Sequence, residues 1–334
     1  MKKKKIFHIL FLIALITGTI YVARSEKNAP YRHTSGQVFG TYYNITYQAD
    51  HDLEKHILEV FRKIDVSLSM FNDKSTISRI NRNEKVMADD MLAYLFPRAM
   101  KVSDATDGAF DITVAPLVNA WGFGFKHDKW HAEAAIDSIR QFVGYKKVHL
   151  DDRTIKKDDP RIMIDFSAIA KGYASDAVAD MLKKAKVRNF MVEIGGEIVV
   201  KGKNDKGTDW KIGITKPTEN NERKENQCIL TLTDCAIATS GNYRNFIIKD
   251  GVKYAHTIDP RTGYPVQQDI ISSTIVARHC YEADAYATSF MVTGLEKAKE
   301  ILAQQPRIDA YFIYIGKDGK QAVWMTEGMK KYLQ

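Results

Sequence analysis

Cysteine is scarce in this chain: 334 residues hold three, Cys228, Cys235 and Cys280, with no CxxC pair. An odd count without paired spacing excludes a disulfide framework and a zinc knuckle. Free thiols on apolar strands are expected, although Cys228 and Cys235 could pair in an oxidising compartment. A dinucleotide fingerprint is also missing, because Gly122-Phe-Gly124 lacks both a third glycine and a preceding strand. There is no internal repeat and no low-complexity tract. Positive charge is sparser than the formal net of +8 suggests. Residues 1–30 carry Lys2, Lys3, Lys4, Lys5, Arg24 and Lys27 against Glu26, a net +5, which leaves only +3 for the rest. So small a surplus argues against nucleic acid as a partner. What is present, 45% apolar and 27% charged residues, is the composition of a globular protein.

The N-terminus reads as a targeting segment. Four lysines precede Ile6–Val22, a 17-residue apolar stretch interrupted by His8 and Thr17-Gly-Thr19. That length lies between a signal-peptide core and a spanning helix. Tyr21 spoils a small-residue cleavage pattern near Ala23, which favours an uncleaved anchor over a cleaved signal. Either way the leading lysines place the body outside the cytoplasm. No lipid-acceptor cysteine follows the apolar run.

Residues 24–36 are polar and contain Pro30, the pattern of a linker. Val38–Gln48 alternates as a strand does. Helical spacing predicts helices over Leu53–Ile64, Met91–Val102 (with a kink at Pro97), Ala132–Phe142 and Ala168–Lys184, the last with Ala170, Tyr173, Ala177, Val178 and Met181 inward. Strands are expected at Lys146–Leu150, Arg161–Asp165, Phe190–Ile194, Glu197–Lys201, Trp210–Thr215, Ile229–Thr233, Ala236–Thr239 and Ser272–Ala277. Asp250-Gly251 is the strongest hairpin signal, between Arg244–Lys249 and Val252–His256, and Asp318-Gly319 is a second. Helices should follow at Glu282–Val292, ended by Gly294, and at Glu296–Gln304. The clustering of hairpin strands predicts an α+β fold, mostly antiparallel sheets with packed helices. The expected organisation is an anchor and linker over 1–30 and a single bilobal domain over 31–334.

Two segments carry the chemistry. Asp165-Phe-Ser-Ala-Ile-Ala-Lys171-Gly-Tyr-Ala-Ser-Asp176 leaves an apolar run and enters a helix. It sets a carboxylate and a lysine at a junction whose free N–H groups favour anions. Asp284-Ala-Tyr-Ala-Thr288 puts a carboxylate and a hydroxyl on one helix face. Both are hard oxygen ligands, suited to Mg²⁺, Mn²⁺ or Ca²⁺, and a carbonyl, waters and substrate phosphates would have to complete the site. The plain alternative is an Asp that caps its helix and a Thr that bonds back into it. Gly108-Ala109-Phe110-Asp111 opens a segment running to Gly124 that is too apolar for an ordinary loop; an Asp among aromatics suits the edge of a planar ring, while Trp121 reads as core. His256-Thr-Ile-Asp259-Pro-Arg-Thr-Gly263 ends a strand in a tight turn, and His256 is either a base tuned near neutral pH or a packed strand-end histidine. His127 and His131 stand at i, i+4 without a third ligand.

In this order and spacing, these segments resemble the ApbE family of FAD:protein FMN transferases. Phe39-Gly-Thr41, Ser75–Asn81, Glu193-Ile-Gly-Gly-Glu197 and Ala238–Tyr243 also belong to the resemblance, which runs from about Gly36 to Gly328. It implies that FAD is bound with Mg²⁺ and its pyrophosphate cut. FMN would then be joined by a phosphoester to a Thr or Ser of another protein, and AMP released. Implied acceptors are extracytoplasmic flavoprotein subunits of redox-driven pumps and related electron-transport proteins. By motif position, Asp284, Thr288 and the Ala168 carbonyl would hold Mg²⁺. Phe39, Phe71, Ala109, Phe110, Asp111 and Asp165 would contact FAD, and Lys171 and His256 would face its phosphates. Family members often carry Met where Phe39 stands and Tyr where Phe71 stands; the second change removes a hydroxyl. Lys171, His256 and Asp284 are the expected catalytic residues, with Asp259 orienting His256. A Mg²⁺-dependent FAD pyrophosphatase and a non-catalytic FAD-binding protein are the other readings.

Overall fold

The computed structural model describes residues 29–124, 133–217, 225–242, 246–249 and 252–333, with most of 8–17. The frame is an eight-stranded sheet of Tyr31–Val38 (β1), Thr41–Gln48 (β2), Phe190–Ile194 (β5), Glu197–Lys201 (β6), Cys235–Gly241 (β9), Ile270–Ala277 (β12), Asp309–Ile315 (β13) and Gln321–Met325 (β14). They lie in that order and every neighbouring pair is antiparallel. Three hairpins stand apart: Val148–Asp151 (β3) with Thr154–Lys157 (β4), Trp210–Thr215 (β7) with Asn226–Leu232 (β8), and Phe246–Lys249 (β10) with Val252–Ala255 (β11). The β10–β11 register pairs Lys249 with Val252, and the turn expected at Asp250-Gly251 lies outside the described residues.

Alternation along the central strands divides the core in two. Val199, Ala238, Ile275 and Phe312 face the helices, while Ile198, Val200, Ile237 and Ile313 face the β7–β8 hairpin. The helical layer contains Glu54–Leu68 (α1), Thr76–Asn81 (α2), Asp90–Ala105 (α3), Ser167–Lys184 (α6), Cys280–Thr293 (α7) and Leu295–Ala303 (α8). Ala115–Ala120 (α4) and Glu133–Arg140 (α5) border a separate, smaller apolar centre formed by Leu117, Ala120, Trp121, Ile136, Val143 and Ile258. Trp121 is core, as expected, and its indole N–H donates to the Gly263 carbonyl at 2.7 Å. No helix among the described residues is long and apolar enough to cross a membrane.

Several expectations change. Tyr31–Gly36, expected as linker, is strand and hydrogen-bonds along β2. Polar side chains concealed it, because an edge strand needs few apolar residues. Residues 161–165, expected as a strand, lack a strand partner. The Asn81 side chain stands in for one: it donates to Ile164 O and accepts from Ile164 N, both at 2.8 Å. α6 buries Gly172, Ser175, Ala179 and Leu182, while Ala170, Tyr173, Ala177 and Met181 are only half-buried. Val178 is buried as expected, together with Ile169 and Leu182, and the small residues Gly172, Ala174 and Ser175 share that face, where α6 packs against another helix. The cysteines are free thiols, with Cys280 buried and the other two half-buried. His127 and His131 lie outside the described residues.

Candidate functional site

A cavity of about 440 Å³ opens where the helical layer meets the β1–β2 turn, a volume typical of small-molecule sites. Its walls are largely apolar: Phe39, Ile64, Leu68, Phe71, Val118 and Phe123. Asp165, Ser167 and Lys171 supply polar groups from the start of α6.

Each wall residue is placed by local structure. The β1–β2 hairpin closes on Phe39-Gly40, since Val38 pairs with Thr41. Both turn residues have positive φ, 52° and 72°, as the tightest hairpin turns require. An aromatic residue in the left-handed region is strained, and here the strain carries the Phe39 ring to the cavity, edge-on to Phe61 with centroids 5.8 Å apart. Phe71 is 78% exposed on the cavity rim.

Charge gathers beside this apolar wall, where α6 crosses α7. Gly172 makes the crossing possible: a Cβ there would lie 2.3 Å from the Cys280 carbonyl oxygen. The Gly172 N–H donates to Asp284 Oδ2 at 2.9 Å. Lys171 Nζ donates to Glu197 Oε1 at 2.6 Å and sits 3.8 Å from Asp284 Oδ1. Burial alone would lower the Lys171 pKa, but the charges of Asp284 and Glu197 more than offset it and hold the ammonium protonated. Burial raises both carboxylates, against the opposing pull of Lys171. Two carboxylates facing one ammonium leave an excess negative charge when all are ionised, and Glu197 Oε2 is buried without a hydrogen-bond partner.

Asp284 lies a turn inside α7 and does not cap it. The cap comes from Asp176 on α6, whose carboxylate accepts the N–H groups of Cys280 (3.0 Å) and Tyr281 (2.9 Å). Thr288, one turn beyond Asp284, has its hydroxyl 3.3 Å from Ser240 Oγ on β9. Back-bonding within α7 is made instead by Ser289, to the Ala285 carbonyl at 2.6 Å. Ala168 lies one turn before Gly172 on the helix that Asp284 touches. A carboxylate, a hydroxyl and a carbonyl suit a hard divalent cation completed by water and phosphate. No group of three or more His, Cys, Asp or Glu side chains gathers among the described residues, so a softer, protein-enclosed metal has no matching donor set here.

The expected FAD contacts divide. Phe39, Phe71, Asp165 and Lys171 line the cavity together. The Asp165 carboxylate accepts from Ser167 N (2.8 Å) and Ser167 Oγ (2.6 Å), and burial raises its pKa. Ala109, Phe110 and Asp111 are not among the lining residues. Ala109 packs with Val266 and Val292, and Phe110 lies in the main core. Asp111 accepts from Thr113 N (2.7 Å), Thr113 Oγ1 (2.6 Å) and Tyr145 N (2.8 Å). His256 is half-buried, its ring edge-on to the lining residue Phe123 with centroids 6.4 Å apart. Asp259 is taken up by Arg261, which donates to it through its backbone N–H and its guanidinium at 2.8–2.9 Å.

Glu197 and Asp176 were named in the sequence only as parts of motifs. The readable signal for Glu197 is the Gly195-Gly196 pair before it. For Asp176 there was none, because its partners lie more than a hundred residues away.

Comparison with known proteins gives consistent matches. A model of the ApbE family matches residues 39–312. A FAD:protein FMN transferase of Vibrio cholerae serotype O1 is 36% identical over 320 residues, spanning 92% of this chain and 95% of that protein. One from Haemophilus influenzae is 34% identical over 322 residues, spanning 90% and 92%. Among solved structures, the flavin transferase ApbE from Vibrio cholerae superposes with a TM-score of 0.83 at 34% identity, covering 91% of this chain and 100% of that one. The ApbE protein from Thermotoga maritima gives 0.80 at 28% identity, with coverage of 91% and 100%.

Proposed function

This chain belongs to the ApbE family and is a flavin transferase, and we propose that it moves the FMN part of FAD, with Mg²⁺, onto a Thr or Ser hydroxyl of an acceptor protein. One observation carries the finer reading: an oxygen-rich cluster around Asp284 and Lys171 stands beside an apolar cavity. Binding of the flavin alone would need the apolar wall but not the cluster.

In this reading the acceptor oxygen forms a new bond to the FMN phosphorus. The P–O bond to AMP breaks, and AMP leaves with the bonding pair. Mg²⁺ held by Asp284, Thr288 and the Ala168 carbonyl would supply Lewis-acid stabilisation of the pyrophosphate charge. Lys171 shares that charge from a fixed position. His256, behind Phe123, takes the proton of the attacking hydroxyl. The planar ring of the flavin lies against the Phe39 and Phe71 side of the cavity. The segment Ile6–Val22 anchors or exports the body to the extracytoplasmic face of a membrane, where flavoprotein subunits of redox-driven pumps and related electron-transport proteins are the acceptors.

The test incubates the full chain in mild detergent with FAD, Mg²⁺ and a candidate acceptor, and reads intact masses. An FMN-sized addition that EDTA and an acceptor Thr→Ala change both abolish is the expected result. AMP and free FMN, with no addition on any of a panel of acceptors, would instead identify a pyrophosphatase. Unchanged FAD would identify a binding protein. His256→Ala should slow transfer more than it weakens FAD binding.

A further inference from the structure

The Glu193–Glu197 segment is so far without a task, although its last residue is a buried acid in direct contact with Lys171. Its geometry begins in the β5–β6 turn. Ile194 pairs with Glu197, so Gly195 and Gly196 alone make the reversal, with φ of 66° and 105°. A Cβ on Gly195 would lie 2.9 Å from Thr41 Cγ2 and 3.3 Å from Glu197 Oε2. The turn must therefore be bare of side chains for β6 to start with its first carboxylate pointing at α6. The Glu197 carbonyl is tied down as well, accepting from Ser175 Oγ at 2.8 Å. The Glu197 side chain is 5% exposed, that of Lys171 32%.

Lysine is a long, flexible chain with a point charge, and it goes where the strongest acceptor is. Two carboxylates compete for it. Glu197 holds it in a short charge-assisted bond of 2.6 Å, while Asp284 Oδ1 stands 3.8 Å away. If Glu197 released the ammonium, the nearest remaining carboxylate would be Asp284. Lys171 and a divalent cation would then claim the same oxygen.

We propose that Glu197 is a positioning residue that holds Lys171 off Asp284, so that Asp284 remains available to a divalent cation while the ammonium still faces the cavity. The inference rests on the metal reading above, and its tests separate the two.

The first measurement is binding of Mn²⁺, as a paramagnetic probe of the site, to the full chain with FAD and no acceptor. Glu197→Gln should raise the Mn²⁺ dissociation constant about tenfold, the scale seen when a ligand's supporting contact is lost. FAD binding without metal should be nearly unchanged, and excess metal should recover part of the transfer rate. In a Lys171→Met background, adding Glu197→Gln should change Mn²⁺ affinity no further, because no ammonium is left to displace. Independent losses in the two variants, or unaltered Mn²⁺ affinity in a folded Glu197→Gln protein, would overturn the proposal.

A stability cycle needs no metal. Lys171→Met strands a buried carboxylate and should lower Tm, and Glu197→Gln on top of it should restore most of the loss. No restoration would show that the two side chains are not coupled. Wild-type protein that binds no Mn²⁺ with FAD would sink the metal reading itself, and the stability cycle would still decide the Glu197–Lys171 link.

Discussion

Two buried aspartates in this molecule are used in opposite ways. Asp111 is 7% exposed and Asp284 2%, and both are raised in pKa by burial. Asp111 is surrounded by donors of its own neighbourhood: three hydrogen bonds, from Thr113 and Tyr145, close the loop after Phe110 onto the start of the next element. Asp284 has one backbone donor, Gly172 N, and a lysine that is held more closely by another acid. Burial alone therefore does not mark a functional acid. A carboxylate saturated by local donors organises backbone, whereas one left short of donors beside a cavity can accept a ligand.

The contrast is broken most directly at Asp284. Asp284→Ala should lower transfer by roughly a hundredfold or more, the scale of losing a transition-state stabiliser. Its fold should survive, because Lys171 and Glu197 remain as a balanced pair. Full turnover with Mg²⁺ in this variant would end the assignment of Asp284 to the metal.

Gly172→Ala attacks the same site through packing. Its Cβ meets backbone, the Cys280 carbonyl carbon at 2.6 Å and oxygen at 2.3 Å, so α6 and α7 must separate. A cost of about 1–3 kcal/mol is expected from overpacking, along with a loss of metal affinity as Asp284 moves from the α6 backbone. Wild-type stability and Mn²⁺ binding together would show that the crossing is looser than described.

On the other side of the comparison, Asp111→Ala should destabilise by about 2–3 kcal/mol through stranded donors while transfer per folded molecule changes only a few-fold. Chemical denaturation and single-turnover transfer measure the two separately. A large transfer defect with unchanged stability would return Asp111 to the flavin contacts that the sequence resemblance implied.

A pH-dependent effect, on stability and not on transfer, concerns Asp176. Burial pushes its carboxyl up to about 7 from 3.8, outweighing the two N–H donors of α7. The unfolded chain then ionises first as pH rises. The stability contribution is full below roughly pH 4, shrinks up to about pH 7 and is flat beyond. Asp176→Asn should remove that part of the pH slope in urea midpoints. An unchanged slope would mean that the cap donors hold the carboxylate ionised throughout.

Much of this was legible in the chain itself. The strands expected at Phe190–Ile194, Glu197–Lys201 and Trp210–Thr215 stand with those bounds, because runs of apolar and β-branched residues favour a pleated, buried surface. The Asp318-Gly319 turn and Gly294, with φ of 74°, ended their elements as expected. The Asp284/Thr288 face and Lys171 were found by residue type and spacing. Helix faces were less legible: α6 buries Val178 as expected, but it also buries Gly172 and Ser175 while Ala170, Tyr173, Ala177 and Met181 stay half-buried, because close approach to another helix needs small residues at the contact. Residues 161–165 read as a strand because Ile162 and Ile164 are apolar, yet the backbone of Ile164 is paired by the Asn81 side chain and that of Asp165 by the Ile112 carbonyl.

By itself, then, the sequence determined the α+β class, the antiparallel hairpins, and the oxygen, lysine and histidine groups available for chemistry. These follow from periodicity and local turn geometry, which act within a few residues. Only the tertiary structure decided which acids are free to act. Asp111 takes two donors from Thr113 nearby but its third from residue 145, Asp176 is committed to a helix more than a hundred residues away, and Glu197 is paired with Lys171 across 26 positions. Hydrogen-bond saturation and burial depend on what the fold brings within 3 Å or so, and no local pattern in the chain carries that information.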